Sequence, residues 1–186
     1  MQFSKIKKRY ESFLCKKLQG RVKIYATTYR KAHDNPASVW LTLDKQKILN
    51  ADDLSFIVPR NILYAQLKEQ HMLKPIPYNR DFNVMLGFPE RRALEDAYDL
   101  AEETLMERGN FESFYLYEAI MYYMQLSIEE SLLSENVLIQ AFAMFDYRLG
   151  KRRLQNLNMT GVHPTIQQFY QIRCEAESII NKTKKG

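Results

Sequence analysis

The apolar pattern is organised around one stretch, Ser134–Arg153, SENVLIQAFAMFDYRLGKRR. From Val137 to Leu149 only Gln140, Asp146 and Arg148 are strongly polar. At about 100° per residue, Val137, Ala141 and Met144 share one direction. Leu138, Phe142, Phe145 and Leu149 cover a second, and Ile139, Ala143 and Tyr147 much of the rest. A helix that is apolar on every side belongs in a core. This one is too short to cross a bilayer, which takes roughly 20 apolar residues. The pattern therefore predicts a buried central helix with Ser134 as N-cap and Gly150 as its stop. Lys151, Arg152 and Arg153 would sit at the negative end of its dipole.

Asp146 and Arg148 interrupt that helix. Two positions apart on a helix, they would point about 160–200° away from each other. An unpaired buried charge costs several kcal/mol, so the pattern predicts a separate partner for each.

The same periodicity organises the rest of the chain. Ile6, Tyr10, Phe13, Leu14 and Leu18 recur at helical spacing, which predicts an amphipathic helix over 4–18 stopped at Gly20. Its polar face carries Lys5, Lys8, Arg9 and Lys16. Period two follows in Arg21–Lys31 and Val39–Asp44, with turn residues over 33–38. A short third strand, Lys47–Leu49, completes a small antiparallel sheet with one aliphatic face. Asn50 reads as the N-cap of a helix ending before Pro59, and a further helix covers 61–70. Residues 71–89 contain Pro75, Pro77 and Pro89 and read as a long connection. Pro89 opens a helix to about Arg108, stopped by Gly109. Its core stripe is Leu94, Ala97, Tyr98, Ala101 and Leu105. An aromatic-rich helix runs from Phe111 to about Gln125. Ser127–Glu130 forms a capping box. After the central helix, Asn156–His163 is a loop, and Pro164 opens a last helix to about Ile180.

The predicted class is α+β: an N-terminal helix and small antiparallel sheet, then a C-terminal helical bundle around a buried central helix. Its 186 residues suit one domain. Residues 1–50 would supply the helix and sheet, 51–181 the mainly helical part, and 182–186 a flexible tail. The net charge of +5 conceals a strong asymmetry. Residues 1–31 hold ten Lys/Arg against one Glu, whereas 90–130 hold three Arg against eleven Asp/Glu. A chain basic at both ends and acidic in its middle can satisfy its own charges, which weakens any inference from pI to a nucleic-acid partner. Two distant cysteines, Cys15 and Cys174, read as free thiols in a reducing cytoplasm. Neither a secretory signal nor a transmembrane run is present, so no membrane span is expected.

Motifs with a fixed chemistry are missing. The chain has no glycine-rich phosphate loop, no Cys-x-x-Cys and no His-Glu-x-x-His. No cofactor and no metal site is predicted. The carboxylates Glu95, Asp99, Glu102 and Glu103 read as a solvated helix face, and Cys15 as a buried, inert thiol. Two candidate sites remain. One is a sheet face with Arg21, Lys23, Tyr25, Tyr29 and Trp40, where rings and cations together suit single-stranded nucleic acid. The other is a polar site of Asp146, Arg148 and His163, should the fold bring the start of the last helix back to the end of the central one.

The runs FSKIKKRYESFLCKKLQGRV, Tyr29–Lys31, Trp40–Lys45, FDYRLGKRRL and HPTIQQFYQIRCEAE resemble an uncharacterised family of small bacterial cytoplasmic proteins of unknown function. The resemblance implies a bacterial, cytoplasmic origin and one compact unit. It carries no assigned catalytic residue, so no role transfers to a position here. The expected function is a non-enzymatic protein-interaction module, using the acidic helix of 90–108 or the aromatic sheet face, with a protein partner or homo-oligomer. The alternatives are nucleic-acid binding through the sheet face and an enzyme using the polar site.

Overall fold

The computed structural model describes residues 3–28 and 37–179. In chain order the elements are α1 (Phe3–Ser12), β1 (Val22–Thr28), β2 (Ala37–Leu43), β3 (Gln46–Asp52), α2 (Asp53–Gln70) and α3 (Phe82–Leu86). They continue with α4 (Pro89–Glu107), α5 (Ser113–Tyr123), α6 (Ile128–Leu133), α7 (Val137–Phe145), α8 (Lys151–Gln155) and α9 (Pro164–Ala176). The architecture is α+β, as the periodicity predicts. Tyr29, Lys31, most of the 33–38 turn and the 182–186 tail lie outside the described residues.

The sheet is antiparallel in the order β1-β2-β3. Its aliphatic face, Val22, Ile24, Val39, Leu41, Leu49 and Ala51, is buried and packs towards α5. A two-residue turn at Asp44 (φ 48°) and Lys45 (φ 71°) joins β2 to β3. Positive φ at both positions matches the twist of a hairpin. Gly20 and Gly109, at φ 78° and 81°, occupy the left-handed conformation that ends the segments before them.

The enclosure of α7 is the central feature. Leu138, Phe142 and Phe145 are buried, with α5, α6 and α9 around them. Phe145 stacks on Phe169 at 4.4 Å, and Phe142 meets Tyr10 at 5.3 Å and Tyr123 at 5.6 Å. Each such side chain contributes about 1.5–3 kcal/mol on burial.

Several boundaries differ from the sequence reading, each for a local reason. α1 stops at Ser12 because Phe13 and Cys15 turn to pair with the end of α7. The Tyr147 N–H donates to the Phe13 carbonyl and the Cys15 N–H to the Phe145 carbonyl, both at 2.8 Å. β3 extends to Asp52, and Asp52 rather than Asn50 caps α2 through the Ser55 N–H at 2.9 Å. α2 runs unbroken through Pro59. Proline there has no N–H for the Ser55 carbonyl, but Ser55 is exposed and water can take its place. The cap of α7 is Asn136, not Ser134, which ends α6 instead. Gly150 is the N-cap of α8 and not a helix stop.

A smaller apolar cluster, Leu67, Ala97 and Ala101, joins α2 to α4. Asp53 ties this pair to the main body: its carboxylate accepts from the Ala37 N–H at 2.6 Å and the Ser113 N–H at 3.0 Å.

Candidate functional site

The polar residues at the end of α7 form a closed structure. Because α7 ends at Phe145, Asp146 has extended backbone (φ −68°, ψ 136°) and the helical angle between it and Arg148 no longer applies. The two pair directly, which corrects the expectation of separate partners. The Asp146 carboxylate accepts from the Arg148 N–H at 2.7 Å, from Nε at 2.9 Å and from Nη2 at 2.6 Å. The Tyr123 hydroxyl donates the fourth bond at 2.5 Å. Three of these four bonds fall on Oδ2 and the Arg148 N–H alone on Oδ1, so both oxygens are held by donors of the chain. Burial, and then the charge of Asp146, push the Tyr123 hydroxyl far up, so it stays a neutral donor. The Arg148 guanidinium lies 4.6 Å over the Phe13 ring and also donates to the Leu126 carbonyl at 2.8 Å.

A second guanidinium closes the knot from α9. Arg173 is buried, and donates to the carbonyls of Met144 (3.1 Å), Asp146 (2.8 Å) and Leu149 (3.1 Å). The carbonyls at a helix C-terminus have no partner within the helix and attract cations. Arg173 satisfies that end of α7 and the turn after it. Its Nε faces Glu177 at 3.3 Å. Sequence reasoning missed Arg173, although it falls on the buried stripe of Ile166, Phe169 and Cys174.

His163 does not join this group. Its Nδ1 accepts from the Thr165 N–H at 3.1 Å, which leaves the proton on Nε2 to be donated to the Met106 carbonyl at 2.9 Å. It caps α9 and ties it to the end of α4. Asp146, Arg148 and His163 therefore do not converge, and each is held by fixed protein partners. Neither Asp146 nor Arg148 lines the two hollows that follow. A hollow of about 640 Å³ between α1, the β1–β2 strand ends and α5 is walled by Phe3, Thr28, Val39, Ser113, Phe114 and Tyr117, among other described residues. No carboxylate, histidine, cysteine or cation is among the described residues lining it. A smaller one of about 370 Å³ has Asn50, Arg108, Asn110 and Gln168 in its wall.

The sheet face is a stack rather than an open platform. Tyr25 and Trp40 are directly opposite in the β1–β2 register and their rings stack at 5.6 Å. Lys7 lies 4.5 Å over Tyr25, and Lys47 lies 4.8 Å over Trp40. With each ring stacked on one side and a lysine over it, a base could stack only by displacing a lysine. Tyr25 is exposed and Trp40 half-buried. Arg21 binds Asp44 at 2.6 Å and so pins the hairpin turn, while Lys23 faces Glu11 at 3.4 Å. Tyr29 lies outside the described residues.

A search against family models matches residues 2–174 to one family. The chain belongs to the SF0329 protein family. No curated protein and no solved structure matches it. No helix among the described residues of this SF0329-family chain is long and apolar enough to cross a membrane.

Two further features of this family member are invisible from motifs. Between α2, α4 and α5, Arg60 binds Glu102 at 3.0 Å and lies 4.7 Å over the Tyr98 ring. Tyr115 donates to the other Glu102 oxygen at 2.8 Å. Burial raises the Glu112 carboxyl above its ordinary range, with Asp53 adding to the effect and Arg60 opposing it. The second feature is the outer side of α2. Its inner stripe, Phe56, Arg60, Tyr64 and Leu67, faces the chain, while Leu54, Ser55, Val58, Asn61, Ile62, Ala65, Gln66 and Glu69 are all exposed. Leu54, Val58 and Ile62 recur every fourth residue and are 55%, 55% and 56% exposed. Reading α2 as two helices split by Pro59 hid this row.

Proposed function

We propose that this chain is a cytoplasmic, non-enzymatic protein-interaction module whose contact surface is the outer side of α2. The observation that carries the reading is the exposed row Leu54, Val58 and Ile62 on a helix that is already packed on its other side. Exposed apolar side chains are unremarkable singly. An ordered row on a rigid helix is what a helix-mediated contact uses. The same arm also exposes Met72, Tyr78, Phe82, Val84 and Leu86 between α2 and α4. Two buried free thiols, Cys15 and Cys174, fit a reducing compartment such as a bacterial cytoplasm. The acidic outer face of α4 becomes, in this reading, a flank that disfavours acidic partners.

The test is a comparison of proteins retained from source-cell lysate by the immobilised wild type and by a Val58→Glu/Ile62→Glu variant. The reading expects a protein held by the wild type and lost by the variant, with unchanged circular dichroism. Identical retention by both would overturn it.

A second reading, polyanion binding at the basic N-terminal region, is favoured by Lys5 and Lys8, which are exposed on α1 and make no ion pair among the described residues. The apolar side of α1, Ile6 and Tyr10, is buried in the core and not available to a lipid surface. Single-stranded RNA binding that falls steeply with salt would support this second reading. Its absence at low ionic strength would remove it.

A further inference from the structure

The hollow between β3, the start of α2, the α4–α5 turn and the start of α9 has no part in the α2 contact. Its volume is about 370 Å³, and Leu49, Phe56 and Phe111 give it an apolar floor. Asn50, Arg108, Asn110 and Gln168 are exposed at its rim. Arg108 makes no ion pair or side-chain hydrogen bond among the described residues. The Asn50 Oδ1 accepts from the Lys47 ammonium at 3.1 Å, which leaves the N–H groups as the free side of that amide.

Thr165, in the first turn of α9, is unlike these rim residues. It is 6% exposed, and its hydroxyl has no hydrogen-bond partner among the described residues. The hydroxyl is not sealed in the core either. The enclosed, unpaired side-chain atoms among the described residues belong to Tyr10, Glu11, Thr42 and Arg173. The Thr165 hydroxyl opens on the hollow that Thr165 lines. A Cβ at Gly109 would stand 3.4 Å from its Oγ1, so it lies against the turn that carries Arg108 and Asn110. A polar group held in so buried a place needs a partner.

The charges around the hollow favour an anion. Pro164 and Thr165 bring the positive end of the α9 dipole to its wall. The negative end of α4 is covered: the Leu105 carbonyl accepts from the Asn110 N–H at 3.0 Å, and the Met106 carbonyl from the Gly109 N–H and His163 Nε2, both at 2.9 Å. Glu107 and Glu112 flank the turn and Asp52 precedes Ser55, but none of the three is in the wall. Asp52 is turned to the Ser55 N–H at 2.9 Å.

We infer that this hollow binds a small organic anion. Its carboxylate or phosphate group is held by the Arg108 guanidinium and the Thr165 hydroxyl, and its body rests on Phe56 and Phe111. A guanidinium offers two parallel N–H donors to such a group. The Thr165 hydroxyl adds a directed donor from a fixed position. A volume of about 370 Å³ lies at the small end of ligand sites, which run from roughly 300 to 1,000 Å³. It suits a metabolite-sized molecule.

The heteronuclear amide NMR spectrum of the full chain tests this. Benzoate and phenyl phosphate are titrated separately at constant ionic strength, with benzamide as the uncharged counterpart. At least one anion is expected to move the Gly109, Asn110 and Thr165 amides along a saturating curve. Whichever does so distinguishes a carboxylate from a phosphate ligand. Arg108→Gln, on the exposed rim, should weaken that binding at least about tenfold. Thr165→Val keeps the side-chain shape and should weaken it about fivefold. Arg152→Gln, exposed on α8 and outside the wall, should leave it unchanged. No saturating shift at these amides with either anion, benzamide binding as tightly as the anions, or full binding by Arg108→Gln would each overturn the inference. If Thr165→Val disturbs the fold, Arg108→Gln still decides the question.

Discussion

The turn after α7 and the outer side of α2 are opposites. In the first, charged groups are hidden: Asp146 and Arg173 are almost fully buried. In the second, apolar groups are displayed: Leu54, Val58 and Ile62 are more than half exposed. Both break the simple rule of apolar inside and polar outside. They differ in compensation. Both Asp146 carboxylate oxygens have donors within the chain, and three carbonyls share the Arg173 guanidinium. The α2 row has no cover among the described residues. A violation satisfied internally explains stability, whereas one left open points outward to a partner.

Substitutions can break or sharpen this contrast. The largest effect is expected from Arg173→Met, which leaves the Met144 and Leu149 carbonyls without their donor in a buried place, while the Asp146 carbonyl keeps only the Leu149 N–H at 3.3 Å. At about 1–3 kcal/mol per unsatisfied group, partly relieved by relaxation, the loss should be about 3–5 kcal/mol in urea denaturation. A loss below about 1 kcal/mol would mean the knot is not held from α9. Next comes Asp146→Asn, expected to cost about 2–3 kcal/mol because hydrogen bonds to a charged acceptor are each worth about 1.5–3. The cost is limited because Arg148 is partly exposed and can reach water. Val58→Glu and Ile62→Glu should change stability by no more than about 0.5 kcal/mol, as surface substitutions do. A large loss at either position would show that the α2 row is covered and end the contrast.

The smallest effect concerns pH. Glu112 has its carboxyl raised in the folded chain, so the unfolded chain gives up this proton first as pH rises. Stability from this group is present below the ordinary value of 4.5 and is lost as pH climbs through the raised folded value. Glu112→Gln should remove that decline. Denaturation of both proteins on either side of that window checks it, and parallel pH curves would mean Glu112 does not contribute.

Much of the architecture was legible along the chain. The apolar run 137–145 could only be stable when enclosed, and seven of its nine residues are buried, whereas Tyr147 beyond it is 58% exposed. The capping box at Ser127, Pro164 at the start of α9 and the alternation in β2 were equally readable, because each rests on neighbours within a few residues. Asp146 and Arg148 misled for an instructive reason. Their predicted separation assumed a helix through residue 150, but pairing of Phe13–Cys15 with Phe145–Tyr147 ends the helix early. That pairing joins segments about 130 residues apart and leaves no periodic trace. His163 was recognisable as a helix start, but its link to the Met106 carbonyl was not.

By itself the sequence determined the main helices and strands and which of them must be covered, since propensity, capping and hydrophobic period are local properties, but it hid α3 inside the 71–89 connection and the short α8. Tertiary structure alone decided where α7 ends, which guanidinium satisfies its carbonyls, that lysines lie over the aromatic pair, and which side of α2 the described residues leave uncovered. Those outcomes depend on what distant segments bring to a given point in space, and a one-dimensional pattern does not encode that distance.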